Sequence, residues 1–392
     1  MMLPVISLLI LLATIFFSVP TTYYCYLLRS SPKPWNLKID EKYAPLITII
    51  IPAHNEEKTI KLKLLNLSLV KYPKEKMQVL LIDDASSDLT VHEALSFATS
   101  HSEIDIEIIR EKIRKGKSTA LNIALGRAKN DIVIVSDADT FWAPDILIKA
   151  LPFLSDPSVG AVSGRQILLD FKRSLLTQTE NIYLDLMYDI IKLGESKIHS
   201  TIIFHGLFSA YKRNVLKHFN VETDDSGTAL DIVQSGFRTI YIPGTRCYEL
   251  PPLTWKGKIR TKLRRANQLI GVYTKCLELL FKKRLLLPLR ITLPEVFIYL
   301  VNPIIFLFLF IAIALFFASF PMFLPWAFLI WVFLLLSSSR FRLLFIEVFQ
   351  DNCILAFSLL TYIFGKRFLF WETLDESRSI LCEEILRKEK LI

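Results

Sequence analysis

Cysteine is scarce and scattered in this chain: Cys25, Cys247, Cys276, Cys353 and Cys382 show no paired spacing and no metal-ligand pattern. That excludes a disulfide-stapled domain and a cysteine-held zinc centre, and predicts free thiols. A second absence concerns Arg114–Thr119, "RKGKST", which ends like a phosphate-cradling P-loop. Such a loop needs another glycine five residues before Gly116, so that backbone amides can wrap a phosphate. Glu111 stands there instead, and a carboxylate repels the ligand. A P-loop NTPase is excluded. The apolar run from Leu3 to Val19 lacks both the basic flank and the small-x-small cleavage pattern of a secretory signal. Its positive charges, Arg29, Lys33 and Lys38, come after it, as in an anchor whose N-terminus lies outside the cell.

What is abundant is apolar sequence, 52% of 392 residues with a mean hydropathy of +0.40, concentrated at the two ends. Residues 1–28 read as a transmembrane anchor, and 291–364 as a C-terminal transmembrane region with segments near 292–318, 322–337 and 343–364. The third of these holds Glu347, Asp351 and Asn352, so it is either re-entrant or a span whose polar residues face protein. A tail, 365–392, follows. Residues 45–255 have ordinary polarity and form a water-facing domain. The positive-inside rule puts that domain in the cytoplasm, where the sequon Asn66-Leu67-Ser68 is a chance match. The sequence pI of 9.1 raises nucleic-acid binding, but the excess charge sits beside the membrane segments, so no nucleic-acid partner is expected.

Within the domain, short β-rich runs alternate with helical patterns. "LITIIIP", "MQVLLIDD", "IDIEII" and "DIVIVSDAD" are each followed by a helix, which predicts an α/β fold with a parallel sheet covered on both faces. Ligands bind beyond the carboxyl ends of such strands. There the chain places Pro52-Ala53-His54-Asn55-Glu56, Asp83-Asp84 and Asp137-Ala138-Asp139. A single acid at such a place reads as a helix cap. Asp137 and Asp139, one residue apart on an extended chain, point the same way and suit Mg²⁺ or Mn²⁺ carrying a diphosphate.

These segments resemble membrane-bound glycosyltransferases of family 2, the group of dolichol-phosphate sugar transferases, ceramide glucosyltransferases and hyaluronan and cellulose synthases. The matching elements are "IIIPAHNEE" (49–57), "LLIDDASSD" (80–88), "GKSTALN" (116–122), "VSDADT" (135–140), "HGLFSAYKRNVL" (205–216) and "TDDSGTALDIVQSGFRTIYIP" (223–243), in the family's order. The resemblance implies a Rossmann-like, glycosyltransferase A-type nucleotide-sugar-binding domain with flanking transmembrane helices. By position it implies donor contacts from Pro52, His54, Glu56, Asp83, Asp84, Lys117 and Asp137, and a metal held by Asp139 with Asp137. Lys117 then opens a helix on the phosphate side, without a P-loop. Eleven residues before Gly236, Asp225 takes the place of the family's catalytic base, with Asp224 before it. The bland alternative is that both cap a helix starting near Ser226. His54 and His205 lack ligand-like partners in sequence and are given no chemistry of their own.

From Lys256 to Arg290 there are eleven Lys/Arg and one acid, Glu278. Ile259, Leu263, Ala266, Ile270, Tyr273, Leu277 and Leu280 recur on one helical face. This basic amphipathic region lies on the membrane surface or packs on the catalytic domain. Processive members of the family carry "QxxRW" here. This chain reads "TKLRRANQ" (261–268), without the tryptophan, leaving Arg264 and Arg265 for diphosphate or acceptor phosphate. The expected activity is transfer of one sugar from a nucleoside diphosphate sugar to a lipid or lipid-linked acceptor, by an integral protein of the cell membrane. The rivals are a processive polysaccharide synthase and a non-catalytic membrane scaffold that retains the nucleotide fold.

Overall fold

A computed structural model describes residues 2–170, 172, 174–368, 378 and 383–392. The chain begins with helix α1 (Met2–Ser30), then β1 (Ile47–Ala53), α2 (Ile60–Ser68), β2 (Met77–Asp83), α3 (Thr90–Ser100) and β3 (Asp105–Arg110). It continues through α4 (Lys117–Leu125), β4 (Ile132–Val135), β5 (Thr140–Trp142), α5 (Ile146–Ala150), β6 (Val159–Leu168), α6 (Leu175–Leu186) and α7 (Leu193–Ile198). Next come β7 (Ser209–Lys212), α8 (Asp224–Gln234), β8 (Arg238–Glu249) and α9 (Trp255–Phe281). The rest is helical: α10 (Leu289–Val296), α11 (Asn302–Ser319), α12 (Leu324–Leu336), α13 (Ser339–Ile363) and α14 (Glu383–Lys388).

The strands form one sheet in the order β3-β2-β1-β4-β7-β6-β8-β5. Alternate residues of a strand face opposite sides. Ile47, Ile49 and Ile51 of β1 therefore pack on Leu64 and Leu67 of α2, while Ile50 packs with Ala120, Leu121 and Ala124 of α4. Burying each such side chain contributes about 1.5–3 kcal/mol. The strands β3, β2, β1 and β4 pair in parallel, as the alternation of strand and helix implies. The rest of the sheet departs from that expectation. β7 is antiparallel to both β4 and β6, and β5 is antiparallel to β8, so the sheet is mixed. After β4 the chain makes a turn rather than a crossover helix, and the simple alternation ends there.

Two buried residues of α2 hold that turn. Lys63 donates from Nζ to the Thr140 carbonyl at 2.8 Å and to the Ser136 hydroxyl, and lies over the Trp142 ring. Asn66 accepts from the Trp142 N–H at 2.7 Å and donates to the carbonyls of Trp142 and Leu391. Asn66 is 1% exposed, which agrees with the sequon being a chance match.

Among the described residues, three helices are long and apolar enough to cross a membrane: Leu3–Ser30, Leu289–Ser319 and Ser339–Ile363. The expected segment near 322–337 is a shorter apolar helix, Pro321–Leu336. α1 packs on α11 and reaches the α/β domain through α7. There Tyr23 donates to Glu195 at 2.7 Å, and the missing side chain of Gly194 admits Leu27. The basic helix α9 docks on protein over much of its length: Ile270 is buried, Val272, Tyr273 and Cys276 enter the core beneath the sheet, and Ile259 stays exposed.

The acids of α13 face α9 and α6. Lys258 meets Glu347 at 2.8 Å, Lys262 meets Asp351 at 2.6 Å, and Glu180 lies within 3.4 Å of both amines. This answers the puzzle of charge in an apolar segment: the carboxylates are paired inside the protein. Cys25, Cys247, Cys276 and Cys353 are free thiols. Cys382 and most of 369–382 lie outside the described residues.

A Cβ built at Gly194 would stand 2.8 Å from Leu27 Cβ and 2.9 Å from the Leu27 carbonyl oxygen. Gly194→Val is expected to lever α1 off the domain and destabilise the protein by about 1–3 kcal/mol. A lowered thermal midpoint of the full chain in detergent would register it.

Candidate active site

The parallel register brings three strand ends to one edge. Asp84 N–H donates to the Ala53 carbonyl at 2.8 Å and Ser136 N–H to the Ile50 carbonyl at 3.0 Å, so the segments after β1, β2 and β4 leave the sheet side by side. Asp137 and Asp139 do not continue the strand as an extended pair. β4 ends at Val135, and the chain turns at Ala138 and Asp139, with the Thr140 hydroxyl donating to the Asp137 carbonyl at 2.9 Å. The two carboxylates consequently take different neighbours. Asp137 faces Lys117, while Asp139 lies 4.0 Å from the guanidinium of Arg378. Burial first, and the charge of Asp137 second, hold the Asp139 carboxyl above the usual aspartate range.

Lys117 is the centre of the site. Its Nζ lies 2.8 Å from Asp137 and 3.4 Å from Asp225, joining residues 88 positions apart. Gly116, in the left-handed region at φ +87°, ends the preceding loop and lets α4 start at Lys117. The loop amides that a P-loop would offer to phosphate are taken here: Lys115 N–H and Gly116 N–H donate to the two carboxylate oxygens of Asp84 at 2.7 and 2.8 Å. Asp84 thus holds the Arg114–Lys117 loop, and that loop, Pro52, His54, Asp137 and Arg264 wall a small recess. His54 Nδ1 lies 2.8 Å from the Asp84 carbonyl.

Asp225 is 6% exposed. α8 starts at Asp224, two residues earlier than expected, and Thr223 occupies the position before it. The carboxylate of Asp225 is turned to Lys117 rather than spent as the helix cap. Asp83 and Glu56 sit behind the surface. Asp83 is fully buried, accepts from the Ser86 N–H and lies 3.8 Å from Arg110. Glu56 is fully buried against the Thr59 hydroxyl and Arg378, and burial pushes its carboxyl well above the ordinary range.

A larger cavity of about 320 Å³ adjoins the recess and shares Lys117, Asp137 and Arg264 with it. It runs past Asp225 and Arg265 to apolar walls from α6, α9 and α13, including Leu184, Leu269, Ile354 and Leu355. Arg265 lies 3.8 Å from Glu249, whose carboxyl is raised by burial to about 7 even though that arginine opposes the shift. Residues that motif reasoning passed over also line this cavity: Gln166, Tyr188, Lys192 and His205. Gln166, Tyr188 and Lys192 fall outside every matching segment, and His205 opens one of them without a sequence partner.

Among the described residues, no three His, Cys, Asp or Glu side chains come together as a self-sufficient metal site. Asp137 and Asp139 nevertheless fit a hard divalent ion that completes its shell with diphosphate oxygens and water. Their mutual charge repulsion is what such an ion relieves. Gly206 preserves the space: a Cβ there would stand 2.6 and 2.8 Å from the Asp137 carboxylate oxygens.

Residues 48–219 match the sequence family described as Glycosyl transferase family 2. The chain carries a family 2 glycosyltransferase domain. A probable glycosyltransferase of Bacillus subtilis (strain 168), YdaM, is 27% identical over 259 residues, 63% of this chain and 60% of its own length. A beta-monoglucosyldiacylglycerol synthase of Trichormus variabilis is 33% identical over 134 residues, 34% of this chain and 29% of its own. The chain thus spans less than two thirds of the length of these relatives. A mannosyltransferase from Pyrobaculum calidifontis, solved in complex with GDP-Man and Mn²⁺, is similar throughout. Its TM-score is 0.78 at 29% identity, covering 93% of this chain and 100% of that one. The glycosyltransferase A-like fold accords with that similarity.

Gly206→Ala drives a methyl group into the Lys117–Asp137 pair. It is expected to weaken metal-dependent nucleotide-sugar binding at least about ten-fold, since the pair has no slack and the Gly206 carbonyl also accepts the Asp137 N–H. Calorimetric titration of the purified chain would measure it.

Proposed function

We propose that this protein is an integral-membrane, divalent-metal-dependent inverting glycosyltransferase that moves one sugar from a nucleoside diphosphate sugar to a lipid or lipid-linked acceptor. The observation that carries this reading is the continuity of the larger cavity. It begins at Lys117 and Asp137, where the family places the donor, passes Asp225, and ends between helices that include a candidate membrane span, α13. A water-soluble polymer needs no such apolar exit; a lipid does.

The small recess receives the nucleoside side of the donor, and Lys117 and Arg264, which border both spaces, meet its diphosphate. Asp137 and Asp139 would hold Mg²⁺ or Mn²⁺, which would supply positive charge to the leaving diphosphate. Asp225 faces the cavity as the base for the acceptor hydroxyl, taking its proton as the oxygen attacks the anomeric carbon opposite the diphosphate. Lys117, shared between Asp137 and Asp225, ties the leaving-group side to the base. GDP-mannose is the first donor to try, because the P. calidifontis enzyme that is similar over its whole length binds GDP-Man with Mn²⁺. Arg29 in the last turn of α1, with Lys33 and Lys38 after it, supports a cytoplasmic catalytic domain at the cell membrane.

The test is sugar transfer in isolated membranes with Mn²⁺ or Mg²⁺ and labelled nucleotide sugars, following label into solvent extract and into polymer. Solvent-extractable label from one donor is expected, with Asp225→Asn lowering the rate about 10²–10⁴-fold and Asp139→Ala abolishing metal-dependent transfer. Label appearing only in polymer would replace single transfer by processive synthesis. Nucleotide binding without transfer to any acceptor would favour a scaffold.

A further inference from the structure

Two side chains in the wall of the larger cavity are unused by the chemistry above. Between α6 and α7 the chain makes one turn of π-helix, Met187–Lys192, a wide turn frequently found at functional sites. It places Tyr188 and Lys192 in the cavity wall. Lys192 is fully buried, its Nζ 4.4 Å from the Tyr188 ring centre and 5.6 Å from that of Tyr241. The amine has no hydrogen-bond partner among the described residues, and burial lowers its pKa to about 7. An unsatisfied buried amine is costly, so its retention calls for a ligand.

His205 is the second. Its ring packs edge-on to Tyr188, with centroids 5.9 Å apart, and its Nε2 lies 3.1 Å from the Gly164 carbonyl oxygen. A carbonyl can only accept, so Nε2 carries the proton. Burial, then the charges of Lys192 and Arg265, keep the ring neutral. Nδ1 is therefore a lone-pair acceptor, and it too has no partner among the described residues. The wall thus offers one donor and one acceptor, each against the Tyr188 ring and near enough for the Lys192 charge to act on His205.

We infer that Lys192 and His205 form a subsite for a hydroxyl group of a neutral polyol, a sugar or glycerol moiety, beside the reacting centre. A hydroxyl accepts from Lys192 Nζ while donating to His205 Nδ1, satisfying both; an ionised phosphate has no proton for Nδ1. The surrounding charges agree. Lys117 is paired with Asp137 and Asp225, Lys262 with Glu180, Glu347 and Asp351, and Arg265 with Glu249. Those cations are already matched by carboxylates and do not gather for a second phosphate. His205 adjoins Gly206, whose carbonyl accepts from the Asp137 N–H at 2.9 Å, so the hydroxyl belongs to the transferred sugar or to the acceptor that meets it.

The inference rests on the lipid-acceptor reading for its substrate but not for its test. Lys192→Met, His205→Leu and His205→Asn are made in the full chain in lipid nanodiscs. Asparagine keeps an acceptor near the position of Nδ1. Three quantities are compared with the parent: affinity for nucleoside diphosphate against nucleoside diphosphate sugar, KM for diacylglycerol and a monoglycosyl lipid, and the thermal midpoint without ligand. Lys192→Met and His205→Leu are expected to leave nucleoside diphosphate affinity unchanged and to weaken one hydroxyl-bearing ligand at least about ten-fold. His205→Asn recovers most of that loss. Lys192→Met raises the ligand-free midpoint, which a merely structural lysine would lower.

Weakening confined to the nucleotide sugar assigns the hydroxyl to the donor; a rise in acceptor KM alone assigns it to the acceptor. Unchanged values for both ligands in both variants overturn the subsite. If the parent transfers sugar to no lipid, the lipid-acceptor reading fails by itself. The subsite is then judged by binding of the nucleotide sugar and of a soluble alkyl glycoside, and no difference between parent and variants for either would sink it.

Discussion

The ammonium of Lys117, held between Asp137 and Asp225, is the contact on which the site depends. One carboxylate stands on the turn after β4 and the other on the first turn of α8, so a single charge joins the donor half of the sheet to the helix that carries the candidate base. Without a cation between them, two carboxylates so close would repel each other and push the segments apart. The neighbouring devices protect this contact. Gly206 leaves out the side chain that would displace it, Gly116 turns the chain so that α4 begins at Lys117, and Asp84 gathers the loop amides beneath it.

A second set of buried charges couples the catalytic domain to the helices that follow it. Lys258 and Lys262 of α9 meet Glu180 of α6 and Glu347 and Asp351 of α13. Buried pairs of this kind add little net stability, because desolvation offsets attraction, but losing one partner is severe. Their consequence here is register. They fix α13 against the domain so that the apolar cavity wall continues from the reacting residues to a candidate span. Gly194 and Tyr23 do the same for α1.

Much of the small recess was legible in the sequence, through its strand ends and the family resemblance. Pro52, His54, Asp84, Lys117 and Asp137 were named from strand ends and motif spacing, and the structure gathers them around one recess with Arg264. Strand ends are local features, set by β-rich runs stopping at polar residues. The places of Asp83 and Glu56 were less legible. Being adjacent to a site in sequence does not say which side of the backbone a carboxylate takes, and these two turn inward to Ser86 and Thr59. The antiparallel half of the sheet was missed for a similar reason: alternation of strand and helix carries no information on the direction of β7 or β5. Nothing in the sequence marked Lys192, whose significance lies in what its amine does not touch.

Composition and spacing determined that the chain has a polar α/β domain between apolar ends, that carboxylates crowd the carboxyl edge of its sheet, and that its Gly-Lys-Ser-Thr is no P-loop. Those follow from periodicity, charge and the presence or absence of a side chain, all properties of near neighbours. Only the tertiary structure decided that Lys117 bridges Asp137 and Asp225, that the acids of α13 face protein, and that one cavity leads from Lys117 and Asp137 to a candidate membrane span. Lys117 meets Asp225 across 108 residues and Lys262 meets Asp351 across 89, and the energy of such contacts exists only once the fold has brought the partners together.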